Sequence, residues 1–240
     1  MLNWQSEWEQ AKAMTQARTA RPFVTATFAM SRDGCLSRTQ GEPTVISANA
    51  ALRMTHALRA VHDVVLVGVG TVLSDDPLLT TRLVPGPSPR RVVLDSALRT
   101  PLTARVVTTA GEAPLIVGCT QADPARAEAL RAAGAQVVLL EPSCEGVSLA
   151  ALFEHLQGLG VSSVMVEGGA TVLKRFFAER AVDFVCITES PLLLANPLAV
   201  RLDDGLSRTL ARWSASAVEH MGPDLIRAGP YAGEASGAAR

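Results

Sequence analysis

The chain has 240 residues, enough for one large α/β domain or two small ones, and 48% apolar content with only 4% aromatics predicts an aliphatic core. Its 22 Lys and Arg nearly balance its 23 Asp and Glu, and no polybasic run occurs, so neither nucleic acid nor a membrane surface is an expected partner. The apolar runs are too short for a membrane span, and the N-terminus lacks the apolar segment of a signal peptide.

Cysteines and histidines are the side chains most often used in metal sites, and here they are scattered. The four cysteines include no C-x-x-C pair, and the four histidines have no clustered neighbours. Three of the cysteines lie in or beside apolar runs, which is typical of reduced, packed thiols. We therefore expect a cytoplasmic protein without a metal site.

Apolar periodicity predicts strands alternating with helices along most of the chain. A helix is expected over residues 4–18, a strand over 23–30, a polar loop over 31–44, and then a helix with Ser47 as its N-cap. Further strands are predicted at 63–68, 92–95, 105–108, 115–119, 136–140, 163–166 and 184–188, and further helices at 124–133, 148–158 and 171–180.

This order implies an α/β fold with a mostly parallel mixed sheet flanked by helices. Two extended segments around residues 221–224 predict an antiparallel hairpin at the C-terminal end. Because no repeat or linker is evident, we expect a single domain over residues 21–228. A helical segment at 1–20 is expected to precede it, and a disordered tail at 229–240 to follow it.

The segment VMVEGGATVLKRFFA, residues 164–178, joins a buried apolar run to a helical pattern through Glu167, Gly168 and Gly169. A strand, two glycines and a helix start direct unpaired backbone N–H groups above the sheet, which favours a phosphate or another anion. Glycines that serve only the packing of a tight turn are the alternative.

Three other polar segments also follow apolar strands: AMSRDG from residue 29, GVGTVLSDDP from residue 68 with LTTR from residue 79, and VVLDSALRTP from residue 92. Open α/β sheets bind ligands at this carboxyl edge. Four such loops predict a sizeable cleft.

The strings VGVGTVLSDDPLLTTR, VVLDSALRTP and VMVEGGATVLKRFF resemble the reductase domain of riboflavin biosynthesis, and the similarity extends over about residues 21–227. The resemblance implies a dihydrofolate-reductase-like fold, NADPH as cofactor and a homodimer. It also implies reduction of a phosphoribosylamino-pyrimidine to its ribitylamino product by hydride transfer to C1′. The zinc deaminase that often precedes this domain carries H-x-E and P-C-x-x-C signatures, which do not occur here.

Carried over by position, the resemblance places Arg59, Leu79, Arg82 and Glu167 at a phosphorylated substrate. It assigns the dinucleotide to Thr71, Asp75, Ser96, Gly168, Gly169, Ala170, Thr171, Val172 and Leu173. Two arginines suit a phosphomonoester, whereas Glu167 would hold the pyrimidine or the sugar hydroxyls. Glu167 is also the candidate catalytic group, with water as the alternative proton source. The residue that reads the NADPH 2′-phosphate stays open between Arg90, Arg91 and Arg99.

Two departures from the family pattern favour alternative functions. In the K-L-A-M-S-x-D-G string the lysine position holds Thr27, and in S-x-W-I-T the serine and tryptophan positions hold Pro43 and Val45. A second hypothesis is therefore a reductase of the same fold that acts on a pterin or dihydrofolate. A third is a nucleotide-binding protein without catalytic activity.

Overall fold

The computed structural model describes residues 3–232, and β-strands form its centre. The strands are β1 (Phe23–Ser31), β2 (Cys35–Ser37), β3 (Val64–Gly68), β4 (Arg90–Leu94), β5 (Leu115–Cys119), β6 (Gln136–Leu139), β7 (Pro142–Ser143), β8 (Gly146–Val147), β9 (Ser163–Val166), β10 (Phe184–Ser190), β11 (Val200–Arg201), β12 (Ala217–Met221) and β13 (Asp224–Pro230). The helices are α1 (Asn3–Gln16), α2 (Asn49–Val61), α3 (Val69–Asp75), α4 (Arg105–Thr108), α5 (Pro124–Ala132), α6 (Leu149–Gly158), α7 (Ala170–Ala178) and α8 (Asp204–Arg212).

Nine strands form one sheet in the order β12-β13-β10-β1-β9-β3-β4-β5-β6. All neighbours from β10 to β6 are parallel, and the β12–β13 hairpin adds to β10 antiparallel. Strands β3 and β5 are buried along their whole length because both faces of the sheet are covered. The predicted mostly parallel mixed sheet, flanked by helices and ending in a hairpin, is confirmed.

Successive residues of each strand pack into cores on opposite faces of the sheet. On one face, Leu66 of β3 belongs to the same cluster as Leu152 of α6 and Phe176 of α7. On the other face, Met165 of β9 packs with the cluster that includes Leu58 of α2. Helix α2 therefore lies over the centre of the sheet, where its polar side chains can reach the carboxyl edge.

The predicted N-terminal helix is present as α1, and a buried polar cluster holds it to the sheet. The indole N–H of Trp8 lies 3.0 Å from Thr25 Oγ1 and 3.2 Å from His62 Nε2. His62 Nδ1 lies 2.7 Å from the Leu58 carbonyl, so this nitrogen carries the proton and Nε2 accepts. Burial lowers the pKa of His62 to about 4.

Two local predictions were wrong for reasons of tertiary structure. Ser47 does not cap α2, because the N-cap is Ala48, whose N–H donates to Asp224 Oδ2 at 2.7 Å. Residues 105–108 form helix α4 rather than a strand. The Arg105 N–H donates to Asp76 Oδ1 at 2.7 Å, and this long-range contact outweighs the strand preference of two consecutive valines.

Other differences concern elements that the sequence pattern did not reveal. The polar run after β3 contains helix α3, and α8 was not predicted although Asp203 caps it through the N–H groups of Gly205 and Leu206. The proposed tail begins too early, because β13 continues to Pro230. Residues 233–240 lie outside the described part of the chain. Within residues 3–232, no helix is both long and apolar enough to cross a bilayer.

Candidate active site

The four polar segments predicted at one edge of the sheet lie side by side. Strands β1, β9, β3 and β4 are consecutive neighbours and run parallel, so the segments that follow them emerge at the same carboxyl edge. Two of these segments lead into helices, α3 after β3 and α7 after β9. The edge thus presents two neighbouring strand-to-helix turns.

The glycine turn after β9 keeps the first turn of α7 open. Gly169 is the N-cap and has no side chain to offer, so no side chain caps this helix. Gly169 and Thr171 are exposed, and the first helical hydrogen bond to the cap runs from the Leu173 N–H to the Gly169 carbonyl at 3.1 Å. The N–H groups of Ala170, Thr171 and Val172 are the unpaired donors of this helix end, which favours an anion there.

Close packing between the two turns explains why glycines occupy them. A Cβ atom on Gly68 would lie 2.7 Å from Val172 Cγ2, and one on Gly168 would lie 2.8 Å from Val172 Cβ. Thr71 of α3 is also close, since a Cβ on Gly169 would be 3.7 Å from its hydroxyl oxygen. These distances support the packing explanation for the glycines, and the same packing brings Thr71 to the open end of α7.

Not every residue assigned to the dinucleotide is available to one. Leu173 is fully buried in the core and its N–H is bonded within the helix, so it offers neither its side chain nor its N–H to a ligand. Val172 packs inward and can offer only its backbone. Asp75 is exposed at the end of α3, whereas its neighbour Asp76 is occupied with the N–H of Arg105.

Ser96 follows β4 in a loop that Asp95 shapes. Asp95 is fully buried, and its Oδ2 accepts hydrogen bonds from the N–H and the hydroxyl of Thr100 at 2.6 and 2.8 Å. The Ser96 hydroxyl lies against the β7–β8 hairpin, 2.8 Å from where a Cβ on Gly146 would be. Arg175 of α7 reaches Ser143 of the same hairpin at 3.1 Å, so the hairpin bridges the Ser96 loop and α7.

The structure distinguishes the three arginines considered for the 2′-phosphate. Arg91 is fully buried and donates to main-chain carbonyls, including that of Leu78 at 3.2 Å. Arg90 begins β4 and therefore lies at the opposite edge of the sheet. Arg99 is at the carboxyl edge with 61% of its side chain exposed, and its Nε lies 3.6 Å from Asp95 Oδ1. Of the three, Arg99 is the one placed near Ser96.

Arg59 and Glu167 form a bidentate ion pair at the carboxyl edge of the sheet, where β9 ends. Arg59 Nε and Nη2 donate to the two carboxylate oxygens of Glu167 at 2.6 and 2.7 Å. Only 10% and 15% of the two side chains are exposed. Burial opposes the charge of Arg59, but the charge and hydrogen bonds of Glu167 outweigh it and raise the pKa of the guanidinium. The pair is neutral overall, and both oxygens of Glu167 are committed as acceptors.

Arg82 lies beside this pair but, unlike Arg59, has no carboxylate partner among the described residues. Both guanidinium groups reach Thr80: Arg59 Nη1 lies 3.0 Å from its carbonyl oxygen, and Arg82 Nη1 lies 2.9 Å from its hydroxyl oxygen. Within residues 3–232, no carboxylate lies at ion-pair distance from Arg82. Partial burial and the charges of Arg59 and Arg105 lower the pKa of Arg82. Arg82 therefore carries a positive charge that no carboxylate among the described residues balances.

Leu79 does not offer its side chain to a substrate. It adopts a left-handed backbone with φ of 56°, and its side chain is 2% exposed within a core cluster. Only its backbone faces the cleft edge. Sequence reasoning also missed His56, whose Nδ1 accepts the Arg82 N–H at 2.8 Å, because a single histidine in a helix carries no distinctive signal.

The two departures from the family pattern have different surroundings. Thr27 is buried, with 6% exposure, on β1. It follows the Ala26–Val166 pair and so lies beside the end of the strand that precedes Glu167. Val45 is 81% exposed and packs against little. Among the described residues, no group of three or more His, Cys, Asp or Glu side chains is arranged to hold a metal ion.

The fold is that of an open α/β protein with a mostly parallel sheet. Proteins of this class bind their ligands at the carboxyl edge of the sheet. Residues 22–227 match the family described as the RibD C-terminal domain, and the chain belongs to that family.

Named relatives agree with this assignment. The chain is 37% identical over 188 residues to the 2,5-diamino-6-ribosylamino-4(3H)-pyrimidinone 5′-phosphate reductase of Methanothermobacter thermautotrophicus, covering 77% of this chain and 85% of the relative. It is 34% identical over 209 residues to the riboflavin biosynthesis protein RibD of Aquifex aeolicus, covering 86% of this chain but 57% of the relative.

A solved structure from Thermotoga maritima, described as a diaminohydroxyphosphoribosylaminopyrimidine deaminase/5-amino-6-(5-phosphoribosylamino)uracil reductase, superposes with a TM-score of 0.71 at 26% identity. The alignment covers 92% of this chain and 60% of the Thermotoga chain. This chain thus spans less than two thirds of the Aquifex and Thermotoga proteins, but most of the Methanothermobacter reductase. The predicted reductase fold is confirmed.

Proposed function

We propose that the protein is an NADPH-dependent reductase of riboflavin biosynthesis, which converts the ribosylamino group of a phosphoribosylamino-pyrimidine into a ribitylamino group. The observation that carries this proposal is the adjacency of Glu167 to Gly168 and Gly169. One turn supplies both a carboxylate paired with Arg59 and the open N-terminus of α7. Cofactor and substrate would therefore meet at this turn. The names of the relatives support the same reaction.

The residues at the open end of α7 fit a dinucleotide diphosphate. The N–H groups of Ala170, Thr171 and Val172 would donate to its oxygens, and the helix dipole favours negative charge there. The Thr71 hydroxyl, Ser96 and Asp75 extend the same cleft wall, and Arg99 is the exposed cation available to a 2′-phosphate. When bound, the nicotinamide supplies the hydride, and the protein contributes alignment and a dry surface.

The proposed substrate site combines the neutral Arg59–Glu167 pair with the unpaired guanidinium of Arg82. Arg82 would hold the 5′-phosphate, because its charge has no carboxylate partner in the described structure. The Arg59–Glu167 pair retains two guanidinium N–H groups and carboxylate lone pairs for the sugar hydroxyls or the pyrimidine. Glu167 would orient the substrate through the lone pairs that Arg59 leaves unused, and we propose water as the proton source.

Two properties of the whole protein belong to this proposal. All four cysteines are free, three of them buried, which is consistent with a reducing cytoplasm. A homodimer is inferred from the resemblance alone. Sedimentation of the purified protein tests it, and a monomer at assay concentration would exclude it.

The proposed activity is tested by measuring NADPH oxidation with the aminated and the deaminated forms of the pyrimidine 5′-phosphate. Turnover of one or both, with NADPH preferred over NADH, is the expected result. The matching riboside without phosphate serves as control and should react with a higher KM. Absence of turnover with both phosphates would exclude the function.

A second candidate is reduction of a pterin or dihydrofolate, which Thr27 favours because this buried position carries no charge for a phosphorylated sugar. Assaying dihydrofolate and pterins in parallel separates the two candidates: this one fails if they are inert while the riboflavin precursor reacts. NADPH binding by calorimetry without turnover of any substrate would instead indicate a non-catalytic nucleotide-binding protein.

A further inference from the structure

The segment that carries Arg82, residues 78–83, is irregular in backbone but held at three points by buried side chains. Arg91 Nη1 donates to the Leu78 carbonyl at 3.2 Å, and Arg59 Nη1 donates to the Thr80 carbonyl at 3.0 Å. At the third point the loop is the donor and the side chain the acceptor, since the Arg82 N–H donates to His56 Nδ1 at 2.8 Å. We call residues 78–83 the Arg82 loop.

His56 is placed to act on the Arg82 loop alone. It lies on α2, one turn before Arg59 and on the same face, and it is 4% exposed. Because Nδ1 accepts the Arg82 N–H, the neutral ring must carry its proton on Nε2. No other hydrogen bond between the described residues and the Arg82 backbone N–H is present.

The surroundings of His56 keep its Nδ1 lone pair available. Burial, followed by the positive charges of Arg59 and Arg82, lowers the pKa of His56 to about 4, and Glu167 opposes this weakly. The ring therefore stays neutral at physiological pH and remains an acceptor. Protonation would place a donor against the Arg82 N–H and break the contact.

We propose that His56 is a positioning residue for the substrate phosphate, which fixes the main chain of Arg82 so that its guanidinium meets the phosphate without further ordering. This inference rests on the proposed function, and it assigns to His56 an effect on binding rather than on chemistry. A loop that must order on binding loses affinity, because the entropy of ordering is subtracted from the contact energy. Removing the acceptor should raise the KM for the phosphorylated substrate about tenfold, the equivalent of one net hydrogen bond.

The experiment compares His56→Leu, which removes the acceptor, with His56→Asn, whose Oδ1 can take the place of Nδ1. Arg53→Ala, an exposed change on the same helix, serves as the control. For each variant, kcat and KM are measured with the pyrimidine 5′-phosphate and with its riboside. Titration with ribose 5-phosphate and hydrogen exchange of the Arg82 amide report on the loop without requiring turnover.

The proposal predicts that His56→Leu raises the KM for the phosphate about tenfold, leaves kcat and the riboside KM within twofold, and speeds exchange of the Arg82 amide. His56→Asn should restore most of the loss. Equal losses with phosphate and riboside, or no change in KM and amide exchange, would overturn it. If the wild type reduces neither phosphate, the proposed function fails. The positioning role then stands only if His56→Leu still weakens ribose 5-phosphate binding, and it falls if binding is unchanged.

Discussion

The ion pair between Arg59 and Glu167 gives the account a quantitative test. The guanidinium nitrogens of Arg59 lie 2.6 and 2.7 Å from the carboxylate oxygens of Glu167, and 10% of the Arg59 and 15% of the Glu167 side chain is exposed. Replacing one partner therefore leaves the charge of the other nearly buried. We expect Arg59→Leu and Glu167→Leu each to lower the free energy of unfolding by about 3 kcal/mol. The double variant removes both charges and should cost less than the sum of the two single changes. The coupling between the two positions is expected to be about 2 kcal/mol.

Urea unfolding of the wild type, the two single variants and the double variant measures this coupling. Arg175 and Glu179 provide a matched pair, because their atoms lie at 2.7 Å but 41% of the Glu179 side chain is exposed. Their coupling should stay below about 1 kcal/mol. If the Arg59 and Glu167 changes prove additive, or couple no more strongly than this pair with its exposed carboxylate, Arg59 and Glu167 do not form a rigid neutral ion pair at the proposed substrate site.

Three further predictions concern charge, packing and pH. Arg82→Ala should raise the KM for the phosphorylated substrate by about 10- to 100-fold with little change in NADPH affinity, because it removes charge-assisted hydrogen bonds to one end of one ligand. Gly68→Ala should cost about 1–3 kcal/mol of stability, since the new Cβ would lie 2.7 Å from Val172 Cγ2, and much less when combined with Val172→Ala. His62 should contribute a loss of stability of about 3 kcal/mol between pH 6.5 and pH 4, because the unfolded chain protonates it from about pH 6.5 downward and the folded protein only near pH 4. His56, whose pKa is lowered to about 4 as well, adds a loss in the same pH range. His62→Gln, which cannot titrate, should therefore remove the His62 part of the pH dependence and leave that of His56.

Each of these predictions has a control and a contradicting result. Arg90→Ala removes an arginine from the opposite edge of the sheet and should leave the KM unchanged; an equal effect of the two changes would exclude a phosphate role for Arg82. Gly70→Ala adds a Cβ with nothing within 4 Å, so a cost like that of Gly68→Ala would refute the packing argument. A loss of stability in His62→Gln as large as that of the wild type would exclude a contribution from His62.

The elements that were predicted from the sequence are those whose signal lies within their own short segment of the chain. Continuous apolar runs indicated the buried parallel strands, and the two glycines after Glu167 indicated the open helix start of α7. The same local reasoning gave a strand at residues 105–108, where a contact from Asp76 starts a helix. At the start of helix α2 the Ala48 N–H donates to Asp224, 176 residues away, and no local pattern could indicate this contact.

In the site, too, residues could be expected from the sequence, but their long-range contacts could not. Arg59, Arg82 and Glu167, which the family resemblance placed together by position, lie near one another in the structure. The pairing of Arg59 was not foreseen, since it depends on a contact with Glu167, 108 positions away, that balances the charge of Arg59 but not that of Arg82. His56 escaped notice because its partners are the backbone N–H groups of Arg82 and Leu83, in a segment distant in sequence.

Transfer of deuterium from the cofactor tests the central claim most directly. The purified protein would be given NADPH deuterated at C4 of the nicotinamide, each epimer in turn, together with the pyrimidine 5′-phosphate, and the product analysed by mass spectrometry and NMR. The account predicts that one epimer delivers deuterium to C1′ of a ribitylamino product and that the other delivers none. A product without deuterium at C1′ from either epimer, or oxidation of NADPH without a ribitylamino product, would contradict it.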